Sequence, residues 1–127
     1  MRSQFESILC AQKPRDGAFV ATWLEHGTGL IDPNQILNDE QTPSTVMTVE
    51  KPDKQTYNSH LTPKPVRLCG HLIRLFSQKN QIVLDPFLGS GTTCVAANKL
   101  KRVSIGIDIN PDYVKIAKTR IEEPEGK

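Results

Sequence analysis

The sequence predicts an α/β fold in which a short parallel sheet is flanked by helices. Two short runs of branched apolar residues, 81–85 and 103–108, are each followed by a turn and then by apolar residues at helical spacing. The stretch between the runs is long enough for the helical crossover that two parallel strands require. A third amphipathic pattern precedes the first run.

That first pattern covers residues 65–78. Pro65 stands where a helix begins, and Val66, Cys69, Leu72, Ile73 and Phe76 recur at three- and four-residue intervals. The run 81–85 (Gln-Ile-Val-Leu-Asp) is continuously apolar up to its acidic end, the pattern of a strand buried on both faces. Pro86 ends it. Gly89-Ser90-Gly91 then leads into residues 92–100, where Val95, Ala96 and Leu100 suit a helix packed on a sheet. Residues 103–108 (Val-Ser-Ile-Gly-Ile-Asp) form the second strand, also expected to be buried on both faces. Asn110 supplies an N-cap and Pro111 the first helical position, after which Tyr113, Val114, Ile116, Ala117 and Ile121 make an apolar face.

Residues 1–59 lack such periods and read as an amino-terminal arm. Residues 5–11 are a candidate strand, 19–25 a short helix or strand, and His26-Gly27-Thr28-Gly29 a turn. Residues 38–60 are polar, with little apolar pattern, and are expected to form a long mobile loop. The helical and strand unit is expected over 60–123, with a tail at 124–127.

A chain of 127 residues, 37% hydrophobic and 24% charged, has the size and composition of one globular core. No apolar run approaches the roughly 18 residues of a membrane span. A polar start without a secretory stretch behind it leads us to expect a soluble, cytoplasmic protein. Cys10, Cys69 and Cys94 are odd in number and far apart, and His26, His60 and His71 do not cluster with them, so neither a disulfide framework nor a metal site is expected. Charge is uneven. Residues 1–59 carry five Lys and Arg against eight Asp and Glu, whereas 60–127 carry eleven against six. The basic half either faces an anion or has a solvated helical surface.

The turn after the first strand holds the chemistry. Glycines at the end of a strand let the chain bend sharply and let a ligand approach, and the N–H groups of the next helix point at the same spot. Asp108 ends the second strand 17 residues after Gly91, about the separation at which an acidic side chain meets a ribose in dinucleotide-type folds. Cys94 stands where a third glycine would complete G-x-G-x-x-G, and the phosphate loop G-x-x-x-x-G-K-[ST] is absent, so NAD and ATP are disfavoured. A nucleotide of another kind remains.

Three strings stand in order: His60-Leu61-Thr62-Pro63-Lys64-Pro65, Asp85-Pro86-Phe87-Leu88-Gly89-Ser90-Gly91-Thr92-Thr93 and Gly106-Ile107-Asp108-Ile109-Asn110-Pro111-Asp112-Tyr113. Together they resemble successive signatures of the beta-group DNA amino-methyltransferases, which methylate the exocyclic N6 of adenine or N4 of cytosine. The match covers residues 60–121, with weaker similarity at 5–14 and 26–29. The resemblance implies a partial class-I (Rossmann-like) methyltransferase fold that binds S-adenosylmethionine. It gives His60, Thr62 and Lys64 the methionyl carboxylate, Asp85, Phe87, Gly89 and Gly91 the loop around methionine and ribose, and Asp108 the ribose hydroxyls. Leu61 and Pro63 depart from the Pro and Gln usual in the first motif.

Members of that family also carry an Asp/Asn/Ser-Pro-Pro-aromatic loop that grips the target amino group and stacks on the flipped base. No Pro-Pro occurs in this sequence. In the beta order that loop lies upstream of every matched motif, so the chain resembles a carboxyl-terminal portion, and no catalytic residue is assigned. The resemblance implies DNA as a partner, a second polypeptide carrying the loop, and a role in restriction-modification. The alternative is a non-catalytic prophage or mobile-element remnant that keeps the cofactor-binding fold; a methyltransferase for another substrate fits the motif spelling less well. With few strands to cover one another, a homo-oligomer is expected. Trp23 reads as a packing anchor rather than a base-stacking residue, Cys69 and Cys94 as small core residues, and His71 as a surface histidine.

Overall fold

The structure, a computed structural model, describes residues 6–15, 17–28, 31, 46–49 and 63–122. The chain forms two compact units, residues 1–30 and 31–127. Most of the loop expected over 38–60 and the tail at 124–127 lie outside the described residues.

In the first unit, residues 6–15 form neither helix nor strand. The strand expected over 5–11 is therefore absent from its described part, where Ile8 and Leu9 are exposed. Residues 19–25 resolve to a helix, α1 (Phe19–His26), with no side-chain cap at its start. Gly27 ends it in the left-handed conformation, φ 64°, and donates its N–H to the Trp23 carbonyl at 2.8 Å. The Arg15 guanidinium lies over the Phe19 ring, 3.3 Å from its centroid. Trp23 stays 39% exposed, so it anchors little packing in this unit.

The second unit contains α2 (Val66–Phe76), β1 (Ile82–Asp85), α3 (Thr92–Lys99), β2 (Val103–Gly106) and α4 (Pro111–Glu122). β1 and β2 pair in parallel, with Ile82 opposite Val103 and Asp85 opposite Gly106. Helix α3 makes the crossover, so strand–helix–strand–helix follows the sequence expectation to within two residues at each end. Asn110 caps α4 as expected, its side-chain oxygen accepting the Asp112 N–H at 2.9 Å. At the far end of the sheet, Arg102 donates to the Leu100 and Ser77 carbonyls, both at 2.7 Å, and ties together the ends of α3 and α2.

Two small apolar clusters hold the unit. Ile73, Ala96 and Ala97 are buried with Val66, Cys69, Val83 and Leu100 around them, which joins α2 and α3 to β1. Leu88, Cys94 and Ala117, with Val114 and Ile121, join the turn after β1 to α3 and α4. Cys94 is therefore a core residue, as its helical position suggested, and Cys69 is half-buried.

Two expectations are corrected. Among the described residues the strands are covered on one face only, because Val83 packs against α2 and α3 while Ile82 is 65% and Leu84 58% exposed. Val103 and Ile105 lie opposite them on the same open face and are exposed too. Continuous apolar character marks a strand suited to two covers, and here only one is in place. His71 is not a surface residue: it is 1% exposed, on a second stripe of α2 shared with buried Leu75. Both its ring nitrogens lack hydrogen-bond partners among the described residues. Burial, reinforced by the nearby Arg74 charge, holds the His71 pKa below the ordinary histidine value.

Candidate functional site

The carboxyl ends of the two parallel strands meet at the glycine turn, where open α/β sheets place their ligands. β1 runs out at Asp85, whose carboxylate accepts the Phe87 N–H at 3.0 Å and bends the chain. The turn stays laced to the end of β2. Ile107 N–H donates to the Asp85 carbonyl at 2.9 Å, and Leu88 N–H donates back to the Ile107 carbonyl at 2.8 Å. This leaves the Phe87 ring 87% exposed at the rim.

The two glycines of the turn do different work. Both take left-handed backbone, Gly89 at φ 51° and Gly91 at φ 82°. A Cβ on Gly91 would lie 2.6 Å from the Ala117 Cβ, so this glycine lets α4 press against the start of α3. A Cβ on Gly89 would meet nothing nearer than the Phe87 carbonyl at 3.9 Å. The open side of the turn is therefore at Gly89. Gly106 is a packing glycine like Gly91, because a Cβ there would lie 2.5 Å from Leu88 Cδ1.

Asp108 closes the turn from the β2 side. Its Oδ2 accepts the Gly89 N–H and its Oδ1 the Asn110 N–H, each at 2.8 Å. A carboxylate offers about four lone-pair positions, so the half-buried group keeps roughly two for a ligand. Helix α3 starts on Gly91 with no side-chain cap and no acidic residue in its first turn, which leaves its leading N–H groups directed at the same place.

Asp85, Phe87, Gly89, Gly91 and Asp108 are thus brought together by the ends of β1 and β2. Lys64 sits exposed just before α2. Its charge acts on the Cys69 thiol, whose pKa is raised chiefly by burial, with Asp85 adding to the rise and Lys64 opposing it. Lys64 and Asp85 therefore lie in electrostatic range of one thiol. His60 and Thr62 lie outside the described residues. Burial also pushes the Cys94 thiol up, so neither cysteine of this unit is an activated nucleophile. Among the described residues no group of His, Cys, Asp and Glu is placed to hold a metal.

Sequence reasoning missed Arg120. From α4 its Nη1 donates to the Ser90 carbonyl at 2.6 Å, to Ser90 Oγ at 2.8 Å and to Thr92 Oγ1 at 3.3 Å. The signal was present in the spacing: Tyr113, Ala117 and Arg120 share one helical stripe, and Ala117 belongs to the apolar face.

Residues 1–119 match the family model described as DNA methylase. The chain belongs to this DNA methylase family. Type II methyltransferase M1.MboII of Moraxella bovis is 51% identical over 59 residues, which span 46% of this chain and 23% of that one. Type II methyltransferase M.HindIII of Haemophilus influenzae is 36% identical over 128 residues, 95% of this chain and 41% of the relative. The chain therefore spans less than half the length of either. A crystal structure of an M1.HpyAVI–SAM complex superposes with a TM-score of 0.61 at 30% identity, covering 74% of this chain and 44% of that one. The α/β unit is accordingly part of a class-I methyltransferase fold.

Proposed function

We propose that the chain is the S-adenosylmethionine-binding portion of a DNA N-methyltransferase acting on an exocyclic adenine N6 or cytosine N4. The observation that carries this reading is the turn at Gly89. It is open on one side, rimmed by the Phe87 ring, closed by a carboxylate with acceptor capacity to spare, and faced by an uncapped helix start. The donor set fits the proposed cofactor: Asp108 accepts from the ribose hydroxyls, Phe87 covers an apolar edge, and Lys64, with His60 and Thr62, takes the methionyl carboxylate. When bound, S-adenosylmethionine supplies a methyl group on a positively charged sulfur.

The chain's own residues bind and orient that group. Nothing in the sequence offers the Pro-Pro-aromatic loop that would hold a flipped base. We therefore propose that the acceptor side of the reaction lies on residues outside this sequence, on the same polypeptide or on a second one, which cover the open apolar face of the sheet and bind DNA together with it. In the isolated chain a second copy takes that place. The rival reading is a non-catalytic remnant that keeps the cofactor-binding fold without turnover.

Calorimetry with S-adenosylmethionine tests the proposal. Wild type binds, and Asp108→Ala binds about ten- to a hundred-fold more weakly, the equivalent of roughly 1.5 to 3 kcal/mol for charge-assisted hydrogen bonds. Equal affinities remove Asp108 from the site; no binding by wild type favours the remnant.

A further inference from the structure

We propose that Arg120 is a positioning residue for the cofactor turn, an inference that rests on the reading of the Gly89 turn as the S-adenosylmethionine site. The turn is locally soft. Two of its three residues are glycines in left-handed conformation, and glycine has more conformations to lose than any other residue. Something outside the turn must therefore fix its shape.

Two charged side chains do so from opposite ends. On the β2 side Asp108 takes the Gly89 N–H. On the α4 side Arg120 holds Ser90 through both its carbonyl and its hydroxyl, and reaches Thr92 as well. Ser90 and Thr92 are each only 6% exposed, so these contacts compete little with water. Holding the Ser90 carbonyl orients the peptide plane between Ser90 and Gly91, which joins the open turn to the N-cap of α3. These three bonds fall on Ser90 and Thr92 rather than on Gly89. Arg120 acts through the backbone that presents the binding groups, and it couples the last turn of α4 to the site across 30 residues of sequence.

Arg120→Met and Arg120→Lys, measured by calorimetry with S-adenosylmethionine below their melting temperatures, test this. Arg120→Met is expected to weaken binding at least tenfold, and Arg120→Lys, which restores a cation and three donors, to recover part of the loss. Amide NMR signals of residues 89–91 should broaden or shift in the Met variant and return toward wild type in the Lys variant. An Arg120 that merely stabilises the fold would lower the melting temperature and leave both readouts unchanged, which overturns the proposal. If Arg120→Met does not fold, Arg120→Lys decides: the proposal stands on a partial loss of affinity with shifted 89–91 signals, and falls if affinity and signals match wild type. Failure of wild type to bind at all overturns the cofactor reading, and this inference with it; wild-type binding with unchanged Arg120 variants overturns this inference alone.

Discussion

The two faces of the β1–β2 sheet differ in residues as well as in surroundings. One presents Val83 to a cluster built by α2 and α3, with Ser104 hydrogen-bonded to the Cys94 thiol. The other presents Ile82, Leu84, Val103 and Ile105, all exposed. Apolar composition taken alone would place the cover on the open face, where all four side chains are apolar. The difference teaches that a strand's residues report the environment to which it is suited, and that only packing tells whether each cover is present.

The comparison is most easily broken from the covered side. Ile73→Ala should cost about 2 to 5 kcal/mol in urea unfolding, because the side chain sits in a cluster too small to collapse around a cavity. A loss under about 1 kcal/mol would mean that this face, too, is loosely held.

A smaller effect is expected on the second buried stripe of α2. The His71 pKa is lowered in the fold, so below about pH 6.5 the unfolded chain takes up a proton that the folded chain refuses. Stability then falls as pH falls, by up to about 1.4 kcal/mol per pH unit, until the depressed folded-state pKa is reached. His71→Leu should flatten this part of a melting-temperature profile between pH 7 and 5. An unchanged profile would assign the slope to other groups.

The smallest effect belongs to the open face. Leu84→Ser should change the stability of the dilute monomer by no more than about 0.5 kcal/mol, as for other exposed positions. At high concentration light scattering should show wild type as a dimer or larger and the variant shifted toward monomer. A cost of 2 kcal/mol or more at every concentration would show the face to be covered within one chain.

Much of the second unit was legible because its periods change cleanly from helical to strand-like and back, with Pro65, the glycine turn and the Asn110 cap marking the joints. The second strand ends early, since beyond Gly106 the backbone bonds serve the turn rather than the ladder. The cofactor-site residues were legible only as a string of motifs; their mutual positions come from the folded turn. His71 escaped because a polar residue after Gly70 looks solvated until a second stripe of the helix is known to be buried. Arg120 escaped because charge in a last helical turn reads as surface. In residues 1–59 no period fixed a face, and α1 buries no residue and ends at a glycine stop.

The buried cysteine under the turn also gives the molecule a built-in chemical clock. Cys94 lies among Leu88, Ala117 and the place a Gly106 side chain would fill, with its thiol held neutral, whereas Cys10 is exposed. An alkylating reagent will consume Cys10 at once and reach Cys94 only when α3 lifts from the sheet. The labelling rate at position 94 thus records how often the turn falls open, and a ligand that closes the turn should slow it.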